Sequence, residues 1–108
     1  MAMVSRFEIY LLNLDPEISA DPRNSRPCVV VSPDEMNRNI DSVIVAPVSS
    51  DVRKYPTRVP FEFLEKKRSM VLDQIRTVEK ARLFKKIGEL NGAARERAVS
   101  VLQEMFAE

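Results

Sequence analysis

Histidine and tryptophan are absent from the 108 residues, cysteine occurs once, and glycine occurs twice. Without histidine, the usual zinc ligand sets, a Ser-His-Asp triad and a paired-histidine nuclease are all excluded. One cysteine excludes an intramolecular disulfide framework. Cys28 lies in the run Pro27-Cys28-Val29-Val30-Val31, which reads as an inert buried thiol rather than a nucleophile. The only glycines, Gly88 and Gly92, leave no Walker A loop and no dinucleotide fingerprint. No apolar run approaches the ~18 residues of a membrane span. The opening segment carries Arg6 and Glu8 and lacks a signal-peptide pattern, so the expected location is the cytoplasm and no membrane is involved.

What is present fits one globular domain over residues 1–108. Hydrophobic residues at 44% and charged ones at 31% are ordinary globular usage, which argues against wholesale disorder. A core of this size is marginal, and a dimer interface would help it. The net charge of +1 hides an uneven placement. Residues 1–50 hold four basic and seven acidic groups, whereas residues 51–90 hold eleven basic and six acidic. A basic middle can form a local phosphate-attracting surface. Its bland counterpart is a solvated face made of Lys66, Lys67, Arg68, Lys80, Arg82, Lys85 and Lys86.

Hydrophobic periodicity predicts about six short strands and one C-terminal helix, a mainly β chain forming a small, strongly bent sheet or barrel with short peripheral helices. Strands are expected at Phe7–Leu14, Pro27–Val31, Ser42–Val48, Thr57–Phe63, from Met70 onward, and at Lys86–Leu90. Pro60 argues for an edge position. Residues 15–26 form a long loop, of a length that suggests function. Ser32-Pro33-Asp34-Glu35 reads as a capping box for a turn or two of helix. Thr77–Leu83 reads as a short helix capped by Thr77. Asn91 caps a final helix in which Ala98, Val101, Leu102, Met105 and Phe106 form a core stripe.

With the standard motifs missing, the chemistry-bearing candidates are polar groups at strand ends and loop edges: Asp21, Arg26, Ser49, Ser50, Asp73, Gln74, Arg76 and Thr77. Each, taken singly, is more often a turn residue or a surface ion pair than a catalyst.

A series of short motifs narrows this. Tyr10-x-x-Asn13-Leu14-Asp15-Pro16, then Arg26-Pro27, Ser32-Pro33, Val45-Ala46-Pro47-Val48-Ser49-Ser50, Tyr55-Pro56, Leu72-Asp73-Gln74-Ile75-Arg76-Thr77 and Lys86-Ile87-Gly88 occur in that order. Together they resemble the MazF/PemK (Kid) family of type II toxins, the mRNA interferases. The resemblance implies an SH3-like β-barrel that dimerises and cuts single-stranded RNA, with an antitoxin protein as partner. It places the catalytic roles on Arg26 and Ser49, and a base contact on Asp21. Two positions depart from the family pattern. Phe7 stands where a Gly usually opens the first strand, and Ser19-Ala20-Asp21 stands where Gly-Ser-Glu is usual.

The chemistry implied needs neither cofactor nor metal. RNA supplies its own nucleophile, the 2′-hydroxyl, so a protein gains rate by alignment and by fixed donors at the phosphoryl oxygens. Arg26 suits charge stabilisation, since its guanidinium is bidentate and permanently charged. Ser49 would donate to a phosphoryl oxygen or orient the leaving 5′-oxygen, and the general base is left unassigned. Base reading falls to the 15–25 loop, Arg53, Lys54 and Tyr55, with Ser50, Gln74, Arg76 and Thr77 along the groove. Two other functions stay open here. One is a silent relative that only binds antitoxin. The other is a CcdB-like gyrase poison, against which the missing tryptophan argues.

Overall fold

The computed structural model describes residues 3–13 and 25–108, so Asp21 and most of the 15–26 loop lie outside the described residues. In chain order the elements are β1 (Glu8–Asn13), β2 (Ser25–Val30), α1 (Asp34–Asn39), β3 (Ser42–Ser49), β4 (Arg58–Phe63), β5 (Lys66–Val71), β6 (Arg76–Glu79), β7 (Leu83–Glu89) and α2 (Gly92–Phe106). Single 3₁₀ turns at Leu72–Gln74 and Lys80–Arg82 precede β6 and β7. Among the described residues seven strands form one sheet in the order β4-β5-β3-β2-β1-β7, and β6 pairs with β3. Every ladder is antiparallel.

Alternation along Val-rich strands gives the sheet two apolar faces. On one, Ile9, Val29, Val31 and Ala46 join Val59, Phe61, Met70 and Leu72 beneath Ala94 and Ala98 of α2. On the other, Tyr10, Leu12, Cys28, Val30, Val43, Val45 and Val78 form a second cluster. Strand β3 serves both halves of the sheet. Its first half pairs with β6, as Val45 with Arg76, and its last residues pair with β5, as Ser49 with Ser69. Register shifts in the β1–β7 ladder add bend. The sheet curls until its two ends meet. The Phe63 ring of β4 lies so close to Gly88 of β7 that a Cβ there would stand 2.7 Å from the ring, a position only glycine fills without displacement. The end strands of this curled sheet, a half-barrel, therefore touch through the Phe63 ring at Gly88.

Four local expectations are corrected. Thr77–Leu83 is not a helix, because Thr77 and Val78 pair with Ile44 and Val43 and extend the sheet through β6. Ser32 does not cap α1. Pro33 occupies that position with no side-chain bond, while buried Ser32 bonds Asn37 and accepts the Ile44 N–H at 3.0 Å. The α2 stripe ends before Phe106, which is 70% exposed. The fifth strand starts at Lys66, four residues ahead of Met70. Pro60 does stand on the edge strand β4, and the Asn91 side chain does cap α2 by accepting the Ala94 N–H at 2.8 Å.

Phe7, the residue in the glycine position, adopts φ 71°, which a bulky side chain takes only under strain. Its N–H donates to Val30 O at 2.6 Å and its carbonyl accepts from Leu90 N at 2.9 Å. Its ring is buried in the core beneath the Arg6 guanidinium. Those contacts offset the strain and keep the first strand on course.

Candidate functional site

Where β2 leaves β3, a concavity of about 280 Å³ opens, lined by Arg26, Cys28, Pro47, Val48, Gln74 and Arg76 among others. Strand register explains the grouping. Cys28 faces Pro47 across one ladder and Val45 faces Arg76 across the next. Arg26 is two residues from Cys28, so alternation sends it to the same face. The result is an apolar floor flanked by two guanidiniums, with the Gln74 amide at the turn between β5 and β6.

Arg26 and Arg76 are both exposed, and neither forms an ion pair with a described residue. Arg26 Nη1 donates to Ser25 O at 2.9 Å, which ties one nitrogen of the guanidinium to the backbone beside it. Cys28 forms part of the floor. Burial pushes its thiol up to about 12, against smaller opposing effects from a Tyr10 backbone bond and the Arg76 charge, so it is no nucleophile at neutral pH.

Ser49 closes β3, two residues past Pro47. Its half-buried Oγ accepts the Asp51 N–H at 3.0 Å. That bond fixes the oxygen and leaves the hydroxyl proton free to donate. Ser50 follows it, exposed, and neither serine is among the residues lining the Arg26 concavity. Register brings Arg26 and Ser49 to the same end of the β2–β3 pair, each two residues beyond the last matched pair, Cys28 with Pro47.

Arg53, Lys54 and Tyr55 are not in this concavity. They line a second one of about 220 Å³ together with Arg58, Ser69 and Arg97. Asp73 joins the two. Its Oδ1 accepts from Thr57 Oγ1 at 2.8 Å and from Arg58 Nε at 3.4 Å, while Gln74, its neighbour, lines the first. The Thr57 bond leads the interactions that hold the Asp73 carboxyl below its ordinary value. Asp73 is therefore a bridge between the concavities. Thr77 pairs with Ile44 on β6 and is not among the residues lining either.

Arg58 and Arg97 were not singled out by the sequence. The only signal for Arg58 is its place in an alternating strand after Tyr55-Pro56-Thr57. For Arg97, on the polar side of a helix, there is none. Among the described residues no group of three His, Cys, Asp or Glu could hold a metal ion, and no helix is long and apolar enough to cross a membrane.

Residues 5–106 match the family model described as PemK-like, MazF-like toxin of type II toxin-antitoxin system. The chain is 30% identical over 111 residues to Endoribonuclease EndoA of Bacillus subtilis (strain 168), covering 97% of this chain and 96% of that protein. It is 34% identical over 91 residues to Endoribonuclease MazF of Staphylococcus epidermidis, covering 79% and 76% of the two chains. A crystal structure of MazE-MazF from Deinococcus radiodurans superposes with a TM-score of 0.81 over 99% of this chain and 98% of that one. Its 17% identity carries the fold alone.

Proposed function

The chain belongs to the PemK-like, MazF-like family of type II toxins, and on that premise we propose that it is an endoribonuclease whose cutting site is the Arg26 concavity. The observation that carries the reading is that strand register sets an exposed, permanently charged Arg26 and a Ser49 hydroxyl bonded to the Asp51 N–H at the same end of two adjacent strands. The substrate is single-stranded RNA, typically mRNA, and the toxin's partner is an antitoxin protein of the same system. The working form is a cytoplasmic homodimer, which would cover apolar surface such as Phe84, 50% exposed on β7.

In this mechanism the RNA 2′-oxygen attacks the adjacent phosphorus. The new bond is 2′-O–P, and the bond that breaks is P–O5′. The 2′-hydroxyl proton goes to solvent or an unassigned base, and a proton reaches the departing 5′-oxygen. Products are a 2′,3′-cyclic phosphate and a 5′-hydroxyl. Arg26 stabilises the charge that builds on the phosphoryl oxygens with two parallel donors, and Ser49 donates its free hydroxyl proton. Arg76 adds positive potential across the floor, and Gln74 supplies amide groups suited to a base edge. No metal enters the scheme, because the nucleophile comes from the substrate and the charge is met by the guanidinium.

Purified Arg26→Ala is expected to lose detectable cleavage while remaining folded, and Arg26→Lys to keep only a small fraction, since an ammonium cannot form the fork. Cleavage by Arg26→Ala at the wild-type rate would overturn the assignment.

A further inference from the structure

Arg82 reads in the sequence as one of several solvated cations, yet it is half-buried. Its Nε donates to the carbonyl of Asn13, 69 positions away, at 3.0 Å. Strand register shows what that bond holds. Arg26 lies two residues beyond Cys28–Pro47, the last pair of β2 with β3. Past that pair, the described partner of β2 is β1 alone, through Leu12–Arg26 and Asn13–Ser25. Strand β1 loses β7 at the same end, after Leu12–Leu83. The next position on the β7 side is Arg82, but it belongs to the 3₁₀ turn Lys80–Arg82 and its backbone is outside the ladder. Its side chain supplies the bond instead.

The Asn13–Ser25 end is therefore a two-stranded ribbon, a form of marginal stability unless it is packed or tied to something else. A guanidinium donating to a backbone carbonyl is a charge-assisted tie, stronger than a neutral one. The Ser25 carbonyl in turn accepts from Arg26 Nη1 at 2.9 Å. One line of contacts thus runs from the turn before β7, through Asn13 and its partner Ser25, to the guanidinium of the cutting site. Arg82 itself is not among the residues lining the Arg26 concavity.

Resting on the endoribonuclease reading above, we infer that Arg82 is a positioning residue for the cleavage reaction. It holds the end of the β1–β2 ribbon against fraying and so keeps Arg26 aimed at the phosphoryl oxygens. Displacement of such a group by about 1 Å costs up to about a hundredfold in rate. Substrate binding is spread over the whole concavity and depends on the aim of Arg26 less. An arginine that served stability alone would lower the unfolding midpoint and leave the rate of the folded protein unchanged.

The test compares Arg82→Met, which keeps the length of the side chain and removes the donor, with Arg82→Lys, which restores one. In single-turnover cleavage of a long single-stranded RNA, well below the unfolding transition, Arg82→Met should lower the saturating rate about tenfold with half-saturation within about twofold. Arg82→Lys should bring the rate back to within about threefold of wild type. In an Arg26→Lys background, Arg82→Met should cost less than about twofold, because the aim it protects is already lost. Full multiplication of the two losses would overturn the proposal, as would an unchanged rate in Arg82→Met. A loss that disappears at high protein concentration would also overturn it and assign Arg82 to subunit association. Amide exchange gives a readout that needs no RNA. Backbone amides across Leu12–Asn13 and Ser25–Arg26 should exchange about tenfold faster in Arg82→Met, while those of Val29 and Val45 hold their wild-type rates. Unchanged exchange would overturn the tie. Faster exchange in a protein whose wild type does not cut would support the tie and overturn the catalytic reading alone.

Discussion

The Oγ of Ser49 accepts the backbone N–H of Asp51 at 3.0 Å, two residues ahead in the turn that ends β3. The bond explains how an ordinary hydroxyl becomes a directed donor. Its oxygen is tied to the turn, and in the proposed mechanism its proton is donated to a phosphoryl or 5′-oxygen. Ser49→Ala should therefore lower kcat about a hundredfold, the usual loss for one fixed donor. Ser49→Thr should recover most of it. Single-turnover cleavage at saturating RNA reads this directly, and an unchanged rate in Ser49→Ala would remove the residue from the mechanism.

Phe7 trades backbone strain against burial. Phe7→Gly relieves a cost of about 1–3 kcal/mol for the positive φ and forfeits about 3–5 kcal/mol of ring packing. The variant should be less stable than wild type by about 2 kcal/mol in urea unfolding, with its cleavage unchanged below the transition. A more stable Phe7→Gly would mean that strain outweighs the ring.

The β4–β5 hairpin turns through Leu64 and Glu65 at φ 53° and 63°, between the paired residues Phe63 and Lys66. Both positions favour Asn or Gly, and Leu64 is 69% exposed, so its side chain offers little in return. Leu64→Asn combined with Glu65→Gly should raise stability by about 1 kcal/mol, visible as a Tm several degrees higher.

Glu8 supplies a pH dependence. Burial opposes its ionisation, but the Lys86 ammonium at 2.6 Å, the Ser5 N–H and the Tyr10 hydroxyl outweigh burial and hold the carboxyl below its ordinary value. A lowered folded-state pKa gives stability that is present at neutral pH and lost as pH falls through that lowered value. Glu8→Gln should be less stable than wild type at pH 7, with the gap narrowing below about pH 4. Urea midpoints at the two ends of that range decide it, and a constant gap would contradict the linkage.

Much of the fold was legible because its strands are short, continuous β-branched runs bounded by turn residues, as in Pro27–Val31 and Ser42–Val48. Two of the misreadings share one cause, which is that tertiary contacts overrode a local capping signal. Thr77 looks like a cap until Ile44 pairs with it, and Ser32 looks like a cap until Asn37 is buried beside it. The cutting-site candidates were readable from an ordered series of short motifs, and strand register then gathers Arg26, Gln74 and Arg76 around one concavity. Arg97 was invisible, since nothing local says that the polar side of α2 reaches the turn after β3.

The central claim is metal-independent cleavage of single-stranded RNA by 2′-hydroxyl attack at Arg26. The most direct measurement is incubation of a long single-stranded RNA with purified protein in EDTA, with every cut mapped and its ends analysed chemically. Discrete cuts bearing 5′-hydroxyl and 2′,3′-cyclic phosphate ends are expected, absent with Arg26→Ala. No cuts by the folded wild-type protein, or cuts that leave 5′-phosphates, would contradict it.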